Sequence, residues 1–274
     1  MPKEKSGKNI IKKFLNAYRT EKKSVFVVYV VLRFLVLAAL VLSCIQGDWE
    51  NAFICLLVLF LFLLPLLFEA SFKVELPSTL QIIILIFIFA AEILGELQSY
   101  FVRYTHWDTV LHTTWGFLCA AGGYSLVDIL NRNKKIRFSL SPINLALVAF
   151  CFSMTIGVLW EFFEFGMDYF FHKDMQKDTV IHAFSSVTLD PTQSNIPIRV
   201  EGITDVAVNG ESLGLGGYLD IGLYDTMEDL FVNFIGAVVF SALGFIDAKT
   251  GGKLKLVSRF VPQVPEKPEK PEEE

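Results

Sequence analysis

Six stretches of about twenty residues run almost free of charge along the chain, a length that matches the hydrocarbon thickness of a bilayer. This pattern predicts an all-α, polytopic bundle of six transmembrane helices, at Val25–Ile45, Asn51–Phe68, Pro77–Leu97, Trp107–Leu126, Pro142–Phe165 and Tyr224–Ile246. Pro77 and the pair Ser141-Pro142 read as start signals, because a proline in the first helical turn costs no intrahelical bond. Between the fifth and sixth stretches, residues 171–223 form a long extracytoplasmic loop. Within it Ile196–Val208 contains alternating apolar residues and Asn209-Gly210 follows, the signature of a small β-hairpin. The first stretch is longer than a secretory apolar core of about 7–15 residues and leads into Gln46-Gly47-Asp48-Trp49, not a small-residue cleavage site, so it reads as a retained helix.

Composition sharpens the picture only through its distribution. Charged residues make up 19% of the chain and apolar residues 53%, and the net charge of −5 hides a segregation of the two signs. The segment 1–24 carries Lys3, Lys5, Lys8, Lys12, Lys13, Arg19, Lys22 and Lys23, the link after the fourth stretch carries Arg132, Lys134, Lys135 and Arg137, and the region after the sixth carries Lys249, Lys253, Lys255 and Arg259. With six spans these regions share one face, opposite Arg103, Lys173, Lys177 and Arg199. The positive-inside bias then places the N-terminus, the 128–141 loop and the C-terminus on the cytoplasmic side. Residues 25–246 form the transmembrane domain, and 247–274 form a cytoplasmic tail whose end, Pro262–Glu274, repeats Pro, Glu and Lys and is expected to be disordered. The basic runs are short and juxtamembrane, which suits anionic lipid and excludes nucleic acid as a partner. Cys44, Cys55, Cys119 and Cys151 lie in apolar stretches without paired spacings and read as packing residues.

The chemistry lies in the polar residues that interrupt the apolar runs, since an ionisable group at the centre of a span costs about 2.5–3.5 kcal/mol on insertion scales. Asp108 and His112 are four apart on the fourth span. Glu161, Glu164 and Asp168 form one stripe on the fifth, Asp225, Asp229 and Asn233 one stripe on the sixth, and Glu92 and Glu96 a pair on the third. The predicted topology puts all four stripes in the outer half of the bundle. Taken alone, Asp108 and Asp225 suit helix N-termini. Glu161 and Glu164 sit near a helix C-terminus inside an aromatic run, where no such reason applies. Elsewhere, His172 and His182 read as surface residues, and Glu69 and Lys73 as solvated members of an inner loop. Gly116, Gly122, Gly123, Gly157, Gly166 and Gly236 read as points of close helix approach.

One imidazole and several carboxylates in a shared cavity can bind a divalent cation, act as general acid and base, or relay protons or cations. Asp108, His112, Glu161, Glu164, Asp225 and Asp229 are the candidate catalytic groups, and His112, Glu161, Glu164 and Asp229 the candidate metal ligands. Glu92, Glu96, Asp168 and Asn233 complete the polar set. No zincin, P-loop, dinucleotide or nucleophile-elbow motif is present. A membrane enzyme acting on an envelope or lipid-linked substrate, a proton- or cation-coupled transporter, and a non-catalytic accessory protein all remain compatible with these groups.

The ordered set Trp107-Asp108-x-x-Leu111-His112-x-x-x-Gly116, Trp160-Glu161-x-x-Glu164 and Asp225-Thr226-x-x-Asp229-x-x-x-Asn233-x-x-Gly236 resembles the YjdF-type family of bacterial inner-membrane proteins, over about residues 77–246. More distantly it is similar to VanZ-like proteins, which carry a related Asp/His, Glu, Asp/Asn pattern on successive helices. The resemblance implies a multi-span inner-membrane protein without assigning a reaction. The VanZ-like link to glycopeptide resistance implies an envelope or lipid-linked substrate.

Overall fold

The computed structural model describes residues 23–132 and 140–263. Most of the basic N-terminal segment, the 133–139 link and the tail from 264 onward lie outside the described residues.

Among the described residues, five helical segments are long and apolar enough to cross a membrane. The first is α1 (Lys23–Gln46). The second joins α2 (Trp49–Leu61) to α3 (Leu64–Phe72) through a turn just before Pro65, and the Asp48 side chain caps α2 by accepting the Asn51 backbone N–H at 3.0 Å. The third joins α4 (Ser78–Ile88) to a π-helical segment, Phe89–Leu97. A short helix, α5 (Tyr100–Arg103), follows. The fourth and fifth are α7 (Pro142–Phe171), started by Ser141 and Pro142 as expected, and α8 (Leu223–Lys249).

The remaining stretch, read from the sequence as the fourth span, forms α6 (Trp107–Arg132), a continuous helix of 26 residues that is less apolar than the others. Its place in the bundle explains this. It packs along both α7 and α8, so much of its surface meets protein instead of lipid, and small residues (Ala120, Ala121, Gly123) replace large apolar ones there. Large side chains such as Phe34 and Ile45 on α1 and Phe162 and Phe170 on α7 point outward, as a lipid-facing surface requires.

Two apolar clusters hold the bundle. One joins Leu32 and Val36 of α1, Cys55 and Val58 of α2 and Leu85 and Ile88 of α4. The other joins Ala120 and Tyr124 of α6, Leu145 and Ala149 of α7 and Ala237 and Phe240 of α8. This second cluster also contains Val257, Phe260 and Val261, from the region that follows the sixth apolar stretch. After α8 the chain turns back and seats Phe260 edge-on to Phe117, 5.0 Å between ring centroids. It then forms an antiparallel bridge between Gln263 and Glu75. Buried Asp247 fixes the turn, its carboxylate accepting the Leu254 N–H at 2.8 Å and the Tyr124 hydroxyl at 3.1 Å. Glu69 is likewise not simply solvated: its Oε1 accepts the Leu76 N–H at 2.6 Å and the Gln81 amide at 3.1 Å. All four cysteines are free.

The loop between α7 and α8 carries three small antiparallel pairs. The expected hairpin is present: β4 (Ala207–Val208) and β5 (Glu211–Ser212) flank Asn209 and Gly210, whose φ values of 55° and 87° make the turn that suits a two-residue hairpin. A second pair joins β2 (Ala183–Ser186) to β3 (Ile198–Glu201). The third, β1 (Thr179–Ile181) with β6 (Tyr218–Asp220), closes the loop at its base and delivers the chain directly into α8.

Candidate functional site

Helices α6, α7 and α8 cross closely enough to bring their polar stripes together. At the crossing, Gly116 of α6 lies against the backbone of Asn233, and Gly236 of α8 lies against the backbone of Thr113 and Phe117. Gly157 of α7 admits the Asn233 side chain, where a Cβ would stand 2.7 Å from its amide nitrogen. Ser153 of α7 donates to the Gly116 carbonyl at 2.7 Å. Gly123 receives Phe152, but a methyl at Gly122 would make only an ordinary contact with that ring and one at Gly166 would touch nothing, so those two do not set helix spacing.

Asn233, 1% exposed, marks the floor of the polar cluster. Above it His112, Glu161, Glu164 and Asp229 are all buried, at 8%, 4%, 7% and 3% exposure. Each offers one ligand atom, and those atoms all lie within 4.8 Å of one another. The imidazole is central: Nδ1 lies 4.0 Å from Glu161 Oε1, and Nε2 lies 3.5 Å from Asp108 Oδ1 and 3.6 Å from Asp229 Oδ2. Glu164 Oε1 accepts the Trp160 indole N–H at 2.9 Å. Glu161 Oε2, Glu164 Oε2, Asp229 Oδ2 and Asn233 Oδ1 are buried without a hydrogen-bond partner among the described residues. Buried polar atoms are ordinarily satisfied, because desolvation without compensation costs about 1–3 kcal/mol each. Several such atoms surround one imidazole, an arrangement able to accept donated protons or pair with positive charge.

Asp108 and Asp225 stand at the edge of this group and, with Asp229, form a second set of three mutually close carboxylates. Asp225 also ties the loop between α7 and α8, its Oδ2 accepting the Lys177 N–H at 2.7 Å. Asp168 does not join the cluster. It lies in the last turn of α7, and its two oxygens accept the backbone N–H groups of Met175 and Gln176 at 2.6 and 2.8 Å. Gln176 in turn donates to the Thr226 hydroxyl at 2.5 Å, so residues 175–177 are strapped across the ends of α7 and α8. Glu92 and Glu96, carried by the π-helical segment, also fall outside the two close sets. Trp160, whose indole binds Glu164, stands beside the cluster without being among the candidate residues read from the sequence. Its i,i+4 relation to Glu164 was the available signal.

The family described as "Predicted membrane protein (DUF2238)" matches residues 28–250. The chain belongs to this family. The resemblance to YjdF-type membrane proteins is consistent with that membership, and the matched region takes in α6, α7, α8 and every residue of the cluster. The chain is also similar to an uncharacterized protein of Thermotoga maritima, with 28% identity over 104 residues, which is 38% of this chain and 52% of that protein. It thus spans about half the length of that relative. No solved structure matches the chain.

Proposed function

We propose that this DUF2238 protein is a six-span inner-membrane protein that holds a divalent cation in the outer half of its bundle and uses it on an amphiphilic, envelope or lipid-linked substrate. The observation that carries the reading is the convergence of His112, Glu161, Glu164 and Asp229 within 4.8 Å, buried, with three carboxylate oxygens unpartnered. Carboxylates this close repel strongly in a low-dielectric interior, and a cation offsets that repulsion where a bare scaffold does not. One nitrogen and several oxygens form a donor set for a hard or borderline divalent ion. When bound, such an ion supplies Lewis-acid polarisation or an activated water. The chain's own groups hold and orient it: Trp160 fixes Glu164, and the loop held by Asp168 and Asp225 shields the outer end.

The sixth span in this reading is α6. At about 1.5 Å per residue its 26 residues extend about 39 Å, beyond the roughly 30 Å apolar thickness, and its polar face turns inward onto α7 and α8. With six spans and the basic segments inside, the cluster faces the outer leaflet. Transport is less well supported, because the other half of the same three helices is filled by Ala120, Tyr124, Ala237 and Phe240, with Phe260 closing it.

Metal analysis of the detergent-purified chain tests the proposal. Stoichiometric metal is expected in the wild type and is lost in both Glu161→Gln and His112→Ala while each variant elutes as folded protein. A folded wild type that retains no divalent ion after incubation with Mn2+ or Zn2+ overturns it. Proton flux in liposomes under those conditions would point to transport, and a large stability loss alone to a helix-locking role.

A further inference from the structure

The geometry points to a pair of cations in this cluster, with Asp229 as the carboxylate that both share. The inference rests on the metal reading above and extends it to a second ion. Two sets of mutually close ligand atoms meet here: His112, Glu161, Glu164 and Asp229 form the deep one, and Asp108, Asp225 and Asp229 form the shallow one. Asp229 alone belongs to both. It is 3% exposed, and its Oδ2 has no hydrogen-bond partner among the described residues although it faces the His112 ring at 3.6 Å. A carboxylate has two oxygens and can bind one ion through each, which is the service a shared ligand performs between two metals.

Charge argues the same way. The two sets together hold five carboxylates against one imidazole. Among the described residues no Lys or Arg forms an ion pair with any of the five; their only ion pairs are to His112. If all are ionised, one divalent cation leaves the cluster three negative charges in excess, and two leave it one. The shallow set is also prepared for a ligand. Asp225 Oδ2 is held by the Lys177 backbone N–H, which fixes the carboxylate while leaving its other oxygen available. Asp108 projects from the first turn of α6, 27% exposed, onto the same imidazole nitrogen that Asp229 faces. The second ion therefore sits between the deep ion and the strapped loop, where exchange with the exterior is easier.

The test is the Mn2+ content of the full chain in detergent, measured after saturation and gel filtration, together with its electron paramagnetic resonance spectrum. About two Mn2+ per chain are expected, with the exchange-coupled signal of neighbouring ions. The combined Asp108→Asn, Asp225→Asn variant is expected to keep one ion and lose the coupling. One uncoupled Mn2+ in the wild type overturns the pair while leaving the single-ion proposal standing, and none overturns both. Should the double variant fail to fold, the wild-type spectrum still decides between coupled and isolated ions.

Discussion

Replacing Gly236 by alanine tests whether the α6–α8 crossing sets the geometry of the cluster. The added Cβ would overlap the Thr113 carbonyl and stand 2.8 Å from the Phe117 backbone nitrogen. Carbon contacts of this kind settle near 3.5–4.0 Å, and the obstructing atoms are main chain, so no rotamer change relieves them. The helices must separate by about 1 Å. Overpacking of this kind costs about 1–3 kcal/mol, about a 5- to 150-fold shift toward the opened bundle. The same displacement acts on His112 and Asp229, which lie on these two helices only 3.6 Å apart, so under the metal proposal retained divalent ion should fall with stability. Equilibrium unfolding in mixed micelles reads the first effect, and metal analysis of the folded fraction the second. Gly166→Ala is the control, since a methyl there meets nothing within 4 Å. If Gly236→Ala unfolds at the wild-type denaturant concentration and keeps its metal, close approach at this crossing does not organise the site.

Two further outcomes follow from polar contacts away from the cluster. Asp247→Ala removes the acceptor of both the Tyr124 hydroxyl and the Leu254 N–H, at a cost of about 1–3 kcal/mol. Hydrogen exchange at Leu254 should then quicken by about 5- to 150-fold, and an unchanged rate would mean that the returning segment is held by Val257 and Phe260 alone. In the loop between α7 and α8 the Thr192 hydroxyl, aided by the backbone N–H groups of Thr192, Ile196 and Ser194, holds the Asp190 carboxyl down at about 2. Because this lies below the unfolded value near 3.9, the loop gains its full stabilisation above about pH 4 and loses it as pH falls through 2. Pepsin cleavage of 187–196 in Asp190→Asn relative to wild type should therefore approach a ratio of one as pH drops from about 4 to 2. A ratio independent of pH would show that the carboxylate does not order the turn.

What the sequence made legible divides along the range of the signals it carries. The α-helical spacings of Asp108 with His112 and of Glu161 with Glu164, and the alignment of Asp229 with Asn233, name the side chains that converge, because each lies on a regular helix and the membrane penalty singles it out. The Asn209-Gly210 turn is equally local and equally readable. The failures begin where regularity ends. Glu92 and Glu96 follow an α-helical spacing on a segment that winds as a π-helix, and nothing in Phe89–Leu97 announces the change. Asp168 continues the α7 stripe in sequence, yet in the last turn it meets the unpaired N–H groups of the loop, which claim it first. The pairing of β1 with β6 joins Thr179 to Asp220 with no local cue. The return of Phe260 onto Phe117 depends on a short apolar run among polar neighbours.

The relative polarity of α6 belongs to this argument. Taken alone, α6 is less apolar than the five candidate spans; packed against both α7 and α8, it is rich in small and polar residues. The feature that weakens its hydropathy is also what lets His112 stand among carboxylates from two other helices. An apolar residue in place of Gly116 would raise the hydropathy of α6 and remove its close approach to the Asn233 backbone, on which the crossing depends. Apolarity and close helix packing therefore place opposite demands on α6, and its sequence favours packing.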